Sequence, residues 1–76
     1  MLTDRQLNII DILNDNNTWI TGKEISNILN VSDRTIRLDI STINTYYNCL
    51  LIESNRRFGY KVNKLYYINK ILKLKI

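Results

Sequence analysis

Hydrophobic residues recur at helical spacing at the start of the chain. Thr3 followed three residues later by Gln6 fits a capping box at a helix N-terminus. The apolar positions that follow repeat at helical intervals: Leu7, Ile9, Ile10, Ile12 and Leu13. This pattern predicts a first helix over residues 4–14, which the turn-forming residues 15–18 end.

A second capping box begins a shorter helix soon afterwards. Thr21 is followed three residues later by Glu24, and Asn30 stands where a helix commonly ends in a left-handed residue. The apolar face of this second helix has three members: Ile25, Ile28 and Leu29. Before it, the apolar pair Trp19 and Ile20 predicts either a brief strand or a core contact, and we expect Trp19 to lie in the core.

The third helix has the cleanest apolar stripe of the chain. Ser32 can cap it through its hydroxyl, and Val31 before it can point inward. The stripe repeats at intervals of four, three and four residues: Ile36, Ile40, Ile43 and Tyr47. Other residues lie off the stripe: Arg34, Thr35, Arg37, Leu38, Ser41 and Thr45. One face of this helix is therefore predicted to be buried and the other free.

Beyond residue 48 the pattern changes from helix to strand. Residues 50–54 and 59–63 read as two short strands joined by residues 55–58, which predicts a β-hairpin. Residues 64–76 are rich in lysine and predict a last helix. Its apolar side would hold four residues: Leu65, Ile68, Leu72 and Ile76. The fold class predicted is mostly α with a small β-hairpin.

Composition limits the function classes. A chain of 76 residues with 45% hydrophobic and 24% charged side chains is expected to form one small folded domain. The absence of histidine, the single cysteine and the two glycines disfavour a catalytic triad, a cysteine-rich metal site and a glycine-rich phosphate loop. We expect no enzymatic activity, no metal and no cofactor.

Cys49 is the only cysteine and is expected to be a small buried hydrophobe at the end of the third helix. It cannot form an internal disulfide, which suits a reducing compartment. The first residues show no signal-peptide pattern, and no apolar run approaches the length of a membrane span. The predicted location is the cytoplasm.

The charge is unevenly distributed. Residues 1–53 hold four basic and seven acidic side chains, whereas residues 54–76 hold seven basic and no acidic ones. This asymmetry is typical of a protein with a polyanionic partner, although a solvated lysine-rich face would give the same count. The five tyrosines could stack on the bases of single-stranded nucleic acid or RNA, but their spacing beside isoleucine and valine favours packing.

Two helices joined by a three-residue turn, followed by a hairpin, are the elements of a winged helix-turn-helix. Arg34, Thr35 and Arg37 open the third helix, where side chains reach base edges or phosphates. Arg56 and Arg57 put two cations at the predicted hairpin tip, and Phe58 beside them can pack or touch sugar. The competing interpretation is that the helix arginines only pair with Asp33, Asp39 or solvent.

Three segments carry a resemblance to a known family: residues 20–25 (ITGKEI), 31–40 (VSDRTIRLDI) and 58–62 (FGYKV). They are similar to the N-terminal winged helix-turn-helix of bacterial transcription regulators. The nearest type precedes phosphotransferase-regulated modules in sugar-operon activators and also occurs in Mga-like regulators. Repressors of the deoxyribonucleoside-regulator type and the regulatory domain of biotin ligases carry similar helices.

The resemblance implies that Ser32 caps the recognition helix, that Arg34, Thr35 and Arg37 face DNA, and that Ile36 and Ile40 are core. It also implies that Gly59 and Tyr60 close the wing. Two positions depart from the family pattern. Leu38 replaces a basic or polar residue, so that contact is lost or becomes an apolar contact with thymine. The wing tip lacks the usual glycine, so Asn55 is predicted to supply a positive φ.

The predicted function is specific binding of double-stranded DNA by residues 1–63, as part of a bacterial transcription regulator. The predicted contacts of the recognition helix are Ser32, Asp33, Arg34, Thr35, Arg37, Leu38 and Ser41. Those of the second helix and the wing are Thr21, Lys23, Asn55, Arg56, Arg57 and Lys61. The alternative is a winged module that binds a protein partner instead of DNA.

Residues 64–76 are predicted to be a basic amphipathic helix or a linker. As a helix, this segment either pairs with its twin in a weak homodimer or lies back on its own domain. As a linker, it would be the start of a connector to a further domain.

Overall fold

In the computed structural model, which describes residues 1–73, three helices are followed by a hairpin and a C-terminal helix. The helices are α1 (Asp4–Asn16), α2 (Gly22–Leu29) and α3 (Asp33–Tyr47), and the strands are β1 (Ile52–Asn55) and β2 (Gly59–Val62). The C-terminal helix consists of an α-helical turn, α4 (Lys64–Tyr67), and a π-helical turn (Ile68–Leu72). The predicted fold class, a winged helix-turn-helix, is confirmed.

Side-chain caps explain where the first three helices begin. Thr3 and Thr21 each form the predicted capping box, with Gln6 and Glu24, and the Ser32 hydroxyl accepts a hydrogen bond from the Thr35 amide. All three helices end at an asparagine in the left-handed conformation: Asn17, Asn30 and Asn48. Helix α1 is two residues longer than predicted because its C-cap is Asn17.

The core lies between the three helices and the hairpin. Its fully buried members come from the three helices, the two strands and the residue before β1: Ile9, Leu13, Ile25, Ile36, Ile43, Leu51, Ile52 and Val62. The predicted stripe of α3 is confirmed, and Val31, Tyr47 and Cys49 pack against the core from its edge.

Three predicted core positions were wrong. Leu7 and Ile28 are exposed, because each lies on a flank of its helix that no neighbouring element covers. Trp19 is only half-buried and contacts Phe58 of the wing instead of the core. The sequence pattern could not separate these positions, because each helix carries more apolar residues than one face can bury.

A buried carboxylate joins α3 to α1. Asp39 is 4% exposed and accepts hydrogen bonds from Arg5 Nε at 2.6 Å, Arg5 Nη2 at 3.1 Å and Gln6 Nε2 at 3.1 Å. The Arg5 guanidinium beside it lowers the pKa of Asp39, in opposition to the effect of burial, and the Gln6 amide lowers it further. Gln6 also closes the Thr3 capping box, so one side chain caps α1 and holds α3.

The wing is fixed to the body by backbone pairing. β1 and β2 are antiparallel, with Ile52 opposite Val62 and Asn55 opposite Gly59. Ile20 forms a one-residue bridge with Tyr60, with N···O distances of 2.8 and 2.7 Å. The predicted brief strand before α2 is therefore reduced to this bridge. The Oδ1 atom of Asn44 in α3 accepts a hydrogen bond from the Ile52 amide at 2.9 Å, and its Nδ2 donates one to the Ile52 carbonyl oxygen at 3.0 Å.

The prediction for the turn of the wing was wrong about Asn55. Asn55 lies in β1 and has no positive φ; its Oδ1 instead accepts hydrogen bonds from the amides of Arg57 and Phe58. Gly59 supplies the positive φ, at +99°. A Cβ at Gly59 would lie 2.3 Å from the Ile20 carbonyl oxygen, so this glycine also permits the bridge to Ile20.

The C-terminal helix lies back on its own domain. Tyr67 and Ile71 pack against the core, and the Lys64 ammonium donates to the backbone oxygen and Oδ1 of Asn14 in α1. Burial raises the pKa of Tyr47, and nearby Tyr46 and Tyr67 raise it further.

The predicted apolar stripe of this last helix was wrong. Leu65 and Leu72 are exposed, at 57% and 50%, whereas Ile68 is half-buried. Tyr67 and Ile71, which are four residues apart, face inward instead. The fourth predicted member, Ile76, lies outside the described residues. None of the helices in residues 1–73 has the length and hydropathy to cross a membrane.

Candidate nucleic-acid interface

Helix α3 presents a free face opposite its buried stripe. Its exposed side chains lie on one arc of the helix: Arg34, Arg37, Leu38, Ser41, Thr42 and Thr45. Leu38 is 58% exposed and is the apolar member of this otherwise polar set. A helix has the diameter to enter the DNA major groove, where such an arc faces base edges.

The first turn of α3 already has internal partners. The Ser32 and Thr35 hydroxyls are 3.0 Å apart and hydrogen-bonded to each other, and the Ser32 oxygen also receives the Thr35 amide at 3.1 Å. Thr35 is half-buried at the edge of the exposed arc. These hydroxyls are therefore partly occupied by internal hydrogen bonds, whereas the Arg34 and Arg37 side chains are exposed.

A groove runs between α3, the start of α2 and the wing. It brings together seven of the predicted contact residues: Thr21, Lys23, Asp33, Arg37, Asn55, Arg56 and Arg57. A neighbouring depression is lined by Ser41 and by Arg37, which also lines the groove. The remaining predicted residues lie outside the groove: Ser32, Arg34, Thr35, Leu38 and Lys61.

Four groove residues are not among the contacts predicted from the sequence: Gly22, Ser54, Gly59 and Tyr60. Tyr60 was expected to pack and, from the resemblance, to close the wing with Gly59. Ser54 and Tyr60 are opposite each other in the strand register, and such a cross-strand pair lies on one face of the hairpin. The start of α2 lies close to the Tyr60 ring at Gly22, because a Cβ at that position would be 3.2 Å from Tyr60 Cε2.

The groove is positively charged. Four of its cationic side chains are Lys23, Arg37, Arg56 and Arg57, and its acidic member is Asp33 at the first position of α3. Within residues 1–73 the one ion pair is Arg5–Asp39, so none of these four cations is neutralised by a salt bridge there. The alternative that Asp39 pairs with Arg34 or Arg37 is contradicted, because Arg5 and Gln6 occupy that carboxylate.

The groove also lies beside two helix N-termini. Thr21 and Ser32 cap α2 and α3, and both helices start at the edge of the groove. Helix N-termini carry a partial positive charge, which adds to the field of the four cations. In the described part of the chain, no three His, Cys, Asp or Glu side chains are grouped to hold a metal ion. The arrangement is suited to a polyanion.

Comparison with known proteins agrees with this arrangement. The family model of an HTH domain matches residues 5–61, from the start of α1 through most of the wing. No curated protein and no solved structure matches the chain.

Proposed function

Because the chain belongs to the helix-turn-helix (HTH) domain family, we propose that it binds double-stranded DNA sequence-specifically as the DNA-binding part of a bacterial transcription regulator. The observation that carries this proposal is the groove between α2, α3 and the wing. Four cations without a salt-bridge partner among the described residues face it, beside the exposed arc of α3. A duplex supplies both a phosphate backbone for the cations and base edges for the arc.

In this proposal α3 enters the major groove. Arg34 and Arg37 pair with guanine edges or with phosphate, and Ser41 adds a hydroxyl on the same arc. Leu38 contacts a thymine methyl, since its exposed side chain has no polar atom for another base. Ser32, Asp33 and Thr35 belong to the N-terminal turn of α3, which approaches a phosphate at the positive end of the helix.

The start of α2 and the wing hold the backbone on either side. Thr21 and Lys23, at the beginning of α2, approach the phosphates on one side of the major groove. Arg56 and Arg57, at the tip of the wing, approach the phosphates on the other side. Asn55 shapes the tip through its hydrogen bonds to the turn, and Lys61 adds charge from the outer side of the wing. These contacts position the duplex without reading its sequence.

The proposed regulator is of the sugar-operon type, phosphotransferase-regulated or Mga-like, on the strength of the segments 20–25, 31–40 and 58–62. Residues 1–63 form its DNA-binding unit, and residues 64–76 a basic helix attached to it. Its place of action is the cytoplasm, and its role is binding rather than catalysis, as is usual in an HTH domain family.

We further propose that two copies associate weakly. A domain of this size covers about one half-site, and pairing two half-sites about one turn apart raises affinity. The C-terminal helix provides the contact through Leu65 and Leu72, whose side chains are exposed although the opposite face is packed. Lysines around this contact repel each other, which keeps the association weak.

The test is selection of bound sequences from a pool of random duplexes by the whole chain. A recovered consensus, bound more tightly than its scrambled version, supports the proposal. Recovery of no consensus, with affinity equal for all duplexes, contradicts specific binding. A chain that binds no duplex at any salt concentration fits the alternative of a protein-interaction module.

A further inference from the structure

Asp33 is an acidic side chain in a groove that is otherwise cationic. It is the first residue of α3 and is exposed. The groove is also lined by four basic residues: Lys23, Arg37, Arg56 and Arg57. Within residues 1–73 no salt bridge joins Asp33 to any of them, since the ion pair there is Arg5–Asp39. The Asp33 carboxylate is therefore not held by a basic side chain in the described part of the chain.

A carboxylate in this position opposes the binding of a polyanion. Like charges repel each other, and the repulsion grows when water is displaced from between them. A phosphate that approaches the start of α3 is attracted by the positive end of the helix and repelled by the Asp33 side chain. We therefore expect the groove to bind the backbone of every duplex less tightly than it would without Asp33. The favourable partner of this carboxylate must be a hydrogen-bond donor.

The major-groove edges of the bases differ in what they offer a carboxylate. Guanine presents the acceptors N7 and O6, and thymine presents the acceptor O4. Adenine presents an amino donor, but its acceptor N7 lies beside it. Cytosine is the base whose own edge carries an amino donor, N4, and no acceptor. A carboxylate in the major groove is thus attracted by cytosine and repelled by an acceptor on each of the other three bases.

The position of Asp33 relative to Arg37 suits such a contact. The two residues are four apart in α3, so they lie on the same face of the helix about 6 Å apart, and both line the groove. A base pair of guanine and cytosine presents acceptors from one base and a donor from the other. The guanidinium of Arg37 and the carboxylate of Asp33 are complementary to these two edges.

We propose that Asp33 is a specificity-determining residue that selects a cytosine in or next to the base pair that Arg37 faces. This inference rests on the proposed function, in which α3 enters the major groove, and it names a base that the bound sequence must contain. The Asp33 carboxylate accepts a hydrogen bond from the N4 amino group of that cytosine. It also lowers the affinity for duplexes with another base there, so Asp33 discriminates by repulsion as well as by attraction.

The test repeats the selection from random duplexes with the whole chain carrying Asp33→Ala. We expect the unmodified chain to recover a cytosine at one position of its consensus and the variant to recover no preferred base there. Replacement of that cytosine should weaken binding by the unmodified chain about tenfold and leave the variant unaffected. The variant should also bind a scrambled duplex more tightly than the unmodified chain does, with the difference shrinking as salt is added.

Two further changes test the hydrogen bond itself. N4-methylcytosine at the selected position still pairs with guanine but has a methyl group in place of the N–H in the major groove. It should weaken binding by the unmodified chain as base replacement does, and should not affect Asp33→Ala. Asp33→Asn keeps the size of the side chain and removes its charge. Because an asparagine amide pairs with N6 and N7 of adenine, we expect this variant to recover adenine instead of cytosine.

Asp4→Ala is the matched control. Asp4 is likewise the first residue of its helix, directly after the Thr3 cap, and it lies outside the groove. This variant therefore loses the same charge and the same favourable interaction with a helix N-terminus as Asp33→Ala. It should recover the consensus of the unmodified chain, including the cytosine.

The inference is overturned if Asp33→Ala recovers the unmodified consensus, or if Asp4→Ala alters that consensus in the same way. Lost preference in Asp33→Ala without an effect of N4-methylation would also overturn it, because Asp33 would then act by orienting Arg37. In these cases the proposed function stands, since the unmodified chain still recovers a consensus. Recovery of no consensus by the unmodified chain removes the proposed function and this inference together.

Discussion

At the scale of single residues, Asp39 shows what sequence patterns miss. The apolar stripe of α3 was predicted from its spacing, and Arg34, Arg37 and Leu38 were predicted to be free because they lie off it. Asp39 is three residues after Ile36 and four before Ile43, so it flanks the stripe; it is buried despite its charge because Arg5 and Gln6 of α1 satisfy its oxygens. Burial of a polar residue depends on partners far away in the sequence, and periodicity carries no information about them.

We expect Asp39→Asn to lower the free energy of unfolding by about 1–3 kcal/mol at neutral pH, since it removes charge-assisted hydrogen bonds from a buried site. The folded pKa of Asp39 is lowered. Its contribution is therefore complete above the unfolded value of about 4 and is lost as pH falls through the lower folded pKa.

Denaturant unfolding at neutral and acid pH checks this expectation, with the exposed Asp11→Asn as the matched control. The deficit of Asp39→Asn should shrink as the solution is acidified, and Asp11→Asn should stay within about 0.5 kcal/mol of the unmodified protein. Equal stability of the two variants at neutral pH would show that the buried contact contributes nothing.

The arginines of α3 test the assignment of the exposed arc. Arg37→Ala is expected to cost about 1–3 kcal/mol of binding free energy on the selected duplex, with a larger loss there than on a scrambled one. The same measurement on Arg34→Ala extends the test along the arc, and Lys70→Ala serves as the control outside it. Unchanged affinity in both arginine variants would mean that α3 does not meet the DNA.

At the scale of elements, the helices were predictable and their packing less so. Capping residues determined the N-terminal bounds of all three helices because a cap acts within three or four residues. The hairpin was predicted, but the role of Asn55 was not, because Gly59 could take the left-handed conformation at lower cost. The face of the C-terminal helix was mispredicted because Tyr67 and Ile71 have the spacing of one helical face, as Leu65, Ile68 and Leu72 do, so periodicity alone could not choose between the two faces.

For the wing, Arg56→Ala and Arg57→Ala are expected to weaken binding to all duplexes about equally. Each should also lower the slope of log affinity against log salt by about one, because each removes a phosphate contact. Affinity for the selected and the scrambled duplex, measured over a range of salt, provides the check. Losses confined to the selected sequence would instead assign these arginines to base recognition.

At the scale of the whole molecule, the cationic groove and the exposed leucines belong to different elements. Cations face the groove from α2, α3 and the wing, whereas the exposed Leu65 and Leu72 belong to the C-terminal helix, whose Tyr67 and Ile71 pack against the core. The groove itself could not be predicted from sequence, because it joins residues from α2, α3 and the hairpin that lie far apart in the chain.

The replacement of both Leu65 and Leu72 by aspartate is expected to abolish weak, concentration-dependent dimerisation. It leaves the core contacts of Tyr67 and Ile71 intact, which truncation after residue 63 would not. Sedimentation of the unmodified and doubly substituted chains, alone and with a duplex of two half-sites, measures the effect. Identical monomeric behaviour at high concentration, with equal affinity for that duplex, would exclude the C-terminal helix as the dimer contact.

Sequence-specific DNA binding is tested most directly by the affinity of the whole chain for the selected duplex over a series of salt concentrations. The four cations that face the groove predict a linear fall of log affinity with log salt, with a slope of about −3 to −4. The selected duplex should be bound more tightly than a scrambled one at every concentration. A slope near zero, or equal affinity for the two duplexes throughout, would contradict sequence-specific DNA binding by this groove and helix.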